Sequence, residues 1–153
     1  MPAAPIVWHE PQLSLTAATP GAFTDWPATL ATIRALMPEK LVPGRGRSLL
    51  SSREVEAAIA GTESFTSDLF AIARQAVANN MDLNATYRLA MSELRPKYGH
   101  WVIFEHCMPF NVSRAYDEAK GLDRPQIWTA ERDLEMWRAL EGAQPLKSAE
   151  AHA

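Results

Sequence analysis

The densest group of chemically capable side chains in this sequence is the consecutive run Glu105, His106 and Cys107. A carboxylate, an imidazole and a thiolate can each ligate zinc, and a histidine in contact with a cysteine can activate it as a nucleophile. Consecutive side chains leave a helix or strand in different directions, so the three cannot converge on one ion from a regular element. A helix that begins just after Cys107 would still lower the pKa of its thiol. The alternative is that Glu105 and His106 hydrogen-bond to nearby backbone and that Cys107 is a buried structural thiol.

A second candidate is an anion-binding site formed by three arginines around a glycine-punctuated loop: Arg34, Arg45 and Arg47, with Gly44 and Gly46. Guanidinium groups and the exposed amides of a glycine loop can together hold a phosphate or a carboxylate. The alternative is that these arginines pair with carboxylates of the same region, of which the sequence offers Glu39, Glu54 and Glu56. Both interpretations stay open at this point.

The composition is that of one globular domain, and it argues against several classes of protein. The chain has 153 residues, a hydrophobic content of 47% and a formal net charge of -3, which gives no electrostatic case for nucleic acid or an anionic membrane. One cysteine excludes an intramolecular disulfide and any multi-cysteine metal site. No run of about 18 apolar residues is present, and the first eight residues lack the pattern of a signal peptide. We therefore expect a cytoplasmic protein without membrane contact.

The elements that position these residues are predicted to be mostly helices. Asp25 is a good N-cap for a helix over residues 26–37, which Pro38 ends. Its apolar stripe is predicted to contain Trp26, Leu30, Ile33 and Leu36 or Met37. Ser51 and Glu54 form a capping box that opens the longest helix, residues 52–79. Its predicted buried stripe is Val55, Ala58, Ile59, Thr62, Phe65, Leu69, Ile72, Ala73 and Ala76.

Three further helices are predicted in the second half of the chain. After an exit at Asn79–Asn80, Asp82 caps a helix that ends before Pro96. Its stripe is Leu83, Tyr87, Ala90 or Met91, and Leu94. Pro109 starts a helix that runs to about residue 120 and is stopped by Gly121. Thr129 caps a last helix, ending at Gly142, whose inward residues are Leu134, Trp137 and Leu140.

The remaining segments are short. Residues 6–8 and 40–42 are predicted as brief strands that could pair, and residues 101–104 as a buried extended segment or a turn of helix.

Residues 26–46, WPATLATIRALMPEKLVPGRG, resemble the closing helix–strand–loop unit of the metallo-β-lactamase-like hydrolases, whose loop is commonly Val-Pro-Gly-His-Gly. The resemblance implies an αββα sandwich whose loop histidine binds zinc or iron. Arg45 stands where that histidine belongs, and a guanidinium cannot ligate a cation. The family's His-x-His-x-Asp-His motif is absent from the sequence, and Ala4-Pro5 replaces its Gly-Asp. We therefore expect no catalytic residue and no resident metal, so that zinc or iron would enter only with a metal-bearing partner.

The rest of the chain extends this resemblance. Residues 51–142 resemble the helical extension that some hydroxyacylglutathione-hydrolase-like relatives carry after the sandwich, above all in residues 105–118, EHCMPFNVSRAYDE. The resemblance divides the chain into a sandwich remnant at 1–50, a helical extension at 51–142 and a disordered tail at 143–153.

The predicted fold class is mainly α with a few short β strands, a partial metallo-β-lactamase-like sandwich followed by a helical C-terminal bundle. A partial sandwich leaves an exposed edge and an apolar helix face, so the expected function is packing or protein interaction, through self-association or with a fuller hydrolase chain. One alternative is a portion of a metal-dependent thioester or ester hydrolase, active only when the metal-bearing half complements it. A further alternative is a small anion-binding module built on the arginine loop.

Overall fold

Four helices make up most of the chain that can be described. The computed structural model describes residues 22–43, 47–102 and 104–122, together with residues 129–131, 134, 137 and 138. The helices are α1 (Ala22–Ala35), α2 (Ser52–Ala78), α3 (Leu83–Tyr98) and α4 (Phe104–Ala119). The prediction of a mainly α chain is confirmed.

The longest helix, α2, is the central element, since α1, α3 and α4 all pack against it. Ser51 caps it as predicted, because its Oγ accepts the N–H of Glu54 at 3.3 Å. In return the Glu54 carboxylate accepts the N–H of Leu50 at 2.9 Å. The predicted stripe positions of α2 are buried, apart from Ile72, which is half-buried. One long apolar face therefore runs the length of the helix.

A tight turn reverses the chain between α2 and α3. Asn80 has a left-handed φ of 54°, which asparagine adopts more readily than most residues, as predicted for this exit. Asp82 caps α3 as predicted, with Oδ1 accepting the N–H of Ala85 at 2.7 Å. Ala90 and Leu94 of the predicted stripe are buried against α2 and α4.

The prediction that α3 ends before Pro96 is wrong, because the helix continues to Tyr98. The Tyr98 hydroxyl donates to the Asp68 carboxylate of α2 at 2.8 Å, and Lys97 Nζ lies 3.0 Å from the same oxygen. These bonds to α2 hold the last turn in place despite the backbone hydrogen bond that the proline removes.

The predicted start of α4 at Pro109 is also wrong, since the helix begins five residues earlier, at Phe104. Phe104 and Met108 are buried in the core, and burying two such side chains contributes about 1.5–3 kcal/mol each. That gain offsets the cost of about 3 kcal/mol for a proline inside a helix. Gly121 ends the helix as predicted, with a φ of 77° that suits glycine.

Residues 101–104 were predicted to form either a buried extended segment or a turn of helix, and the structure matches neither prediction over the whole segment. Trp101 is half-buried and lies edge-on to Phe65 of α2, with ring centroids 5.3 Å apart. Val102 is exposed, Phe104 already belongs to α4, and residue 103 lies outside the described residues.

The first helix starts four residues before the predicted position, at Ala22, so Asp25 lies in its first turn rather than at its N-cap. The acceptor for its first amides comes from another helix: Glu118 of α4 accepts the N–H groups of Phe23 and Thr24, each at 3.1 Å. A sequence pattern local to α1 contains no sign of this acceptor.

The prediction that Leu36 or Met37 continues the buried stripe of α1 is wrong. The helix ends at Ala35, and Met37 has a left-handed φ of 48°, so both side chains turn to solvent. Leu30 of the same stripe is fully buried, and Trp26 and Ile33 are half-buried.

Two apolar clusters organise the packing. The larger joins the C-terminal half of α2 to α3 and α4, with Phe23 of α1 stacked on Phe70 at 5.4 Å. The smaller joins the other end of α1 to the start of α2 and consists of Leu30, Leu49, Val55, Ala58 and Ile59. These contacts cross the predicted domain boundary at residue 50, and the boundary itself stays a prediction.

The α1–α2 connection, residues 36–51, contains one antiparallel bridge. Leu41 and Leu49 exchange backbone hydrogen bonds of 2.9 and 2.8 Å. Among the described residues this single pair is all that remains of the predicted strand at 40–42, and residues 6–8 lie outside them. The strand pairs with the end of its own connection, so the partial metallo-β-lactamase-like sandwich is not supported.

The C-terminal part is described at a few positions only. Residues 130, 131, 134, 137 and 138 are helical, in agreement with the helix predicted after Thr129. Leu134 and Trp137 are 44% and 52% exposed, so the prediction that they point inward is wrong. Leu140 and the predicted disordered tail lie outside the described residues. None of the helices in the described ranges combines the length and apolar character needed to cross a bilayer.

Candidate functional site

The first candidate residue, Arg34, lies at the C-terminal end of α1 and is held by two carboxylates of α2. Its Nε is 3.0 Å from both carboxylate oxygens of Glu56, and its Nη2 is 3.0 Å from Oε2 of Glu63. The hydrogen bond to Glu56, followed by that to Glu63, raises the pKa of Arg34 above its ordinary value. One guanidinium therefore faces two negative charges, and a further anion would have to displace one of them.

The second candidate arginine, Arg47, binds a different carboxylate at the start of α2. Its Nη2 lies 2.7 Å from Oε1 of Glu54, and its Nη1 donates to the carbonyl of Ser48 at 3.3 Å. The N–H of Leu50 and then the Arg47 guanidinium lower the pKa of Glu54 to about 2. Glu54 thus joins the cap of α2 to the connection that precedes it.

Among the described residues, Arg34 and Arg47 do not share a carboxylate. Arg34 is bound to Glu56 and Glu63 and Arg47 to Glu54, so both arginines pair with carboxylates as in the alternative drawn from the sequence. Arg45 lies outside the described residues. An anion site built on these three residues stays a prediction, and it would require exchange of the existing ion pairs.

The run Glu105, His106 and Cys107 lies in the first turn of α4, where the three side chains diverge. Glu105 forms an exposed ion pair with Arg95 at 2.8 Å, and the exposed His106 ring lies 6.1 Å from that of Phe110. Cys107 is buried. Within the described part of the chain, no group of three or more potential metal ligands comes together.

A buried polar stripe along α4, formed by Asn111, Arg114 and Glu118, is a feature that the sequence analysis missed. Arg114 and Glu118 have side chains only 4% and 7% exposed, with Nη2 and Oε2 3.5 Å apart. The Oδ1 atom of Asn111 is buried without a protein hydrogen-bond donor. Since Glu118 also caps α1, the stripe ties α1 to α4. The (i, i+4) spacing of Arg114 and Glu118 was the available signal, but it also fits an exposed ion pair.

Among the described residues of the first half of the chain, the most exposed large apolar side chains fall in the α1–α2 connection. Leu36, Met37, Val42 and Leu50 are between 66% and 83% exposed, and we call them the connection patch. The bridge explains two of them: alternate residues of an extended segment point to opposite sides, so Leu41 and Leu49 face the core while Val42 and Leu50 face solvent.

A groove of about 580 Å³ runs along α3, and the described residues that line it are Tyr87, Arg88, Met91, Ser92, Arg95 and Pro96. These positions recur at helical spacing, so they form one face of the helix. The floor is apolar, since Tyr87 and Met91 pack on the larger cluster, and two guanidinium groups border it.

No protein-family model matches the sequence, and no curated protein matches it significantly. The resemblance to the metallo-β-lactamase-like hydrolases therefore stays a hypothesis that rests on the residues quoted for it.

Proposed function

We propose that this chain is a non-catalytic, mainly helical interaction domain that binds a second copy of itself through the connection patch. The supporting observation is the exposure of Leu36, Met37, Val42 and Leu50 within one connection. Single exposed apolar residues are common on soluble proteins, whereas several in one short segment are typical of an interaction site.

The patch favours a second copy as its partner because it is complementary to itself. An apolar surface can face its own twofold copy, and twofold dimers are the commonest assemblies of identical chains. The exposed residues beside it, Glu39 and Lys40, carry opposite charges on consecutive positions. A twofold arrangement can set the ammonium group of one copy near the carboxylate of the other, which would fix the register of the pair.

The expected effect of a substitution follows from the apolar burial that each patch residue would supply. Burying one exposed valine or leucine contributes about 1.5–3 kcal/mol. Part of this gain is offset by the translational and rotational entropy that two chains lose when they associate. Replacing two of the four anchors should therefore weaken association by at least about tenfold, which corresponds to 1.4 kcal/mol.

The experiment is size-exclusion chromatography with light scattering, over a range of concentrations, on the wild type and on the Val42→Ser/Leu50→Ser variant. The variant should stay monomeric at concentrations where the wild type is dimeric, while its helical circular dichroism is unchanged because both side chains are exposed. Val102→Ser is the matched control, since Val102 is 82% exposed and follows α3, away from the connection. Equal dimerisation of wild type and double variant would reject the patch as the interface.

A further inference from the structure

The groove on α3 combines an apolar floor with two positive charges on a chain that is acidic as a whole. Arg88 and Arg95 are seven residues apart, so they lie about two turns apart on the same face, separated by about 10 Å along the axis. No carboxylate is among the described residues that line the groove, although the formal net charge of the chain is -3.

Both arginines are available to a partner. Arg88 is exposed, so its guanidinium is accessible to a partner. Arg95 is paired with Glu105, but their side chains are 58% and 68% exposed. An ion pair so open to water is worth at most about 1 kcal/mol, so a partner carboxylate can replace Glu105 at low cost.

We infer that this groove binds an acidic amphipathic helix of another polypeptide. The floor formed by Tyr87, Met91 and Pro96 accepts apolar side chains that recur at spacings of three and four on the incoming helix. Arg88 and Arg95 each bind a carboxylate, and the partner helix therefore carries its two acidic residues about seven positions apart. Ser92 lies between the two arginines and supplies a hydroxyl at the rim.

This surface is separate from the connection patch, and the inference does not depend on self-association. The patch belongs to residues 36–50, whereas the described residues that line the groove lie between positions 87 and 96 of α3.

The test measures fluorescence anisotropy of a labelled helical peptide of about fifteen residues mixed with the full chain. The peptide carries leucines at spacings of three and four and two glutamates seven positions apart; a second peptide has glutamine at both acidic positions. We expect the glutamate peptide to bind at least about tenfold more tightly than the glutamine peptide. We also expect Arg88→Glu/Arg95→Glu to abolish this preference, while Arg88→Lys/Arg95→Lys retains part of it.

The matched control is Arg53→Glu, which reverses an exposed arginine on the first turn of α2, outside the groove. Circular dichroism of each variant shows that the fold is kept, as expected for exposed positions. Absence of binding by the glutamate peptide, equal binding of both peptides, or binding unchanged by the double charge reversal would each overturn the inference. So would tighter binding of a single-stranded oligonucleotide that is lost on charge reversal, because the groove would then serve nucleic acid.

Discussion

Replacing Glu118 with alanine should destabilise the fold more than any single change at an exposed ion pair. The Glu118 side chain is 7% exposed, lies 3.5 Å from the Arg114 guanidinium and accepts the amides of Phe23 and Thr24 in the first turn of α1 at 3.1 Å. Losing a helix cap costs about 0.5–2 kcal/mol, and removing one partner of a buried ion pair costs about 3–5 kcal/mol. These losses overlap, and the amide of Thr24 can be hydrated, so we expect about 3–5 kcal/mol in total. For a chain of this length that lowers the melting temperature by roughly 10 °C.

The assay is urea unfolding followed by circular dichroism, with two comparison variants. Glu118→Gln keeps one carbonyl oxygen as an acceptor but removes the charge, so it should cost about 1–3 kcal/mol. Glu105→Ala is the matched control, because the exposed pair that it breaks contributes at most about 1 kcal/mol. If Glu118→Ala and Glu105→Ala were destabilised equally, the idea that Glu118 fastens α1 to α4 would be refuted.

Three further changes probe the local contacts. The pKa of Glu54 is lowered to about 2 from an ordinary 4.5, so the stabilisation that its carboxylate provides is present above pH 4.5 and lost as the pH falls toward 2. The Glu54→Gln variant should therefore lose less stability than the wild type over that range. An equal loss of unfolding free energy in both proteins on acidification would contradict this. Burial, and then Asp68, raises the pKa of the Tyr98 phenol, so its stabilisation is present below pH 10.0 and lost as the pH rises through the folded-state value. Tyr98→Phe should therefore be less stable than the wild type near neutral pH, with the difference shrinking in alkaline urea titrations; a constant difference would count against the contact. Gly121→Ala should cost about 1 kcal/mol in thermal unfolding because of its φ of 77°, and no change would argue against the left-handed stop.

The sequence correctly predicted where a helix begins when its capping residue directly precedes it in the chain. Ser51 and Asp82 cap α2 and α3 where the sequence indicates, and the apolar spacing of α2 identifies its buried face. The failures are at prolines and at tertiary contacts. Pro96 is a standard signal for the end of a helix and Pro109 for a start, but contacts with α2 and burial of Phe104 outweigh the single hydrogen bond that each proline removes.

In the candidate site, too, contacts between nearby parts of the chain could be predicted from the sequence, and contacts between distant parts could not. The sequence offered carboxylates near Arg34 and Arg47, and these pairs form. It gave no sign that Glu118, more than ninety residues away, caps α1. It also assigned Leu36 and Met37 to the buried stripe, because helical spacing alone does not show where a helix stops and the chain turns outward.

Sedimentation equilibrium of the wild-type chain over a wide concentration range tests the central claim most directly. We expect the mean mass to rise from that of one chain to that of two, and the Val42→Ser/Leu50→Ser variant to remain at the mass of one. A wild type that keeps the mass of one chain at every concentration would contradict self-association through the connection patch.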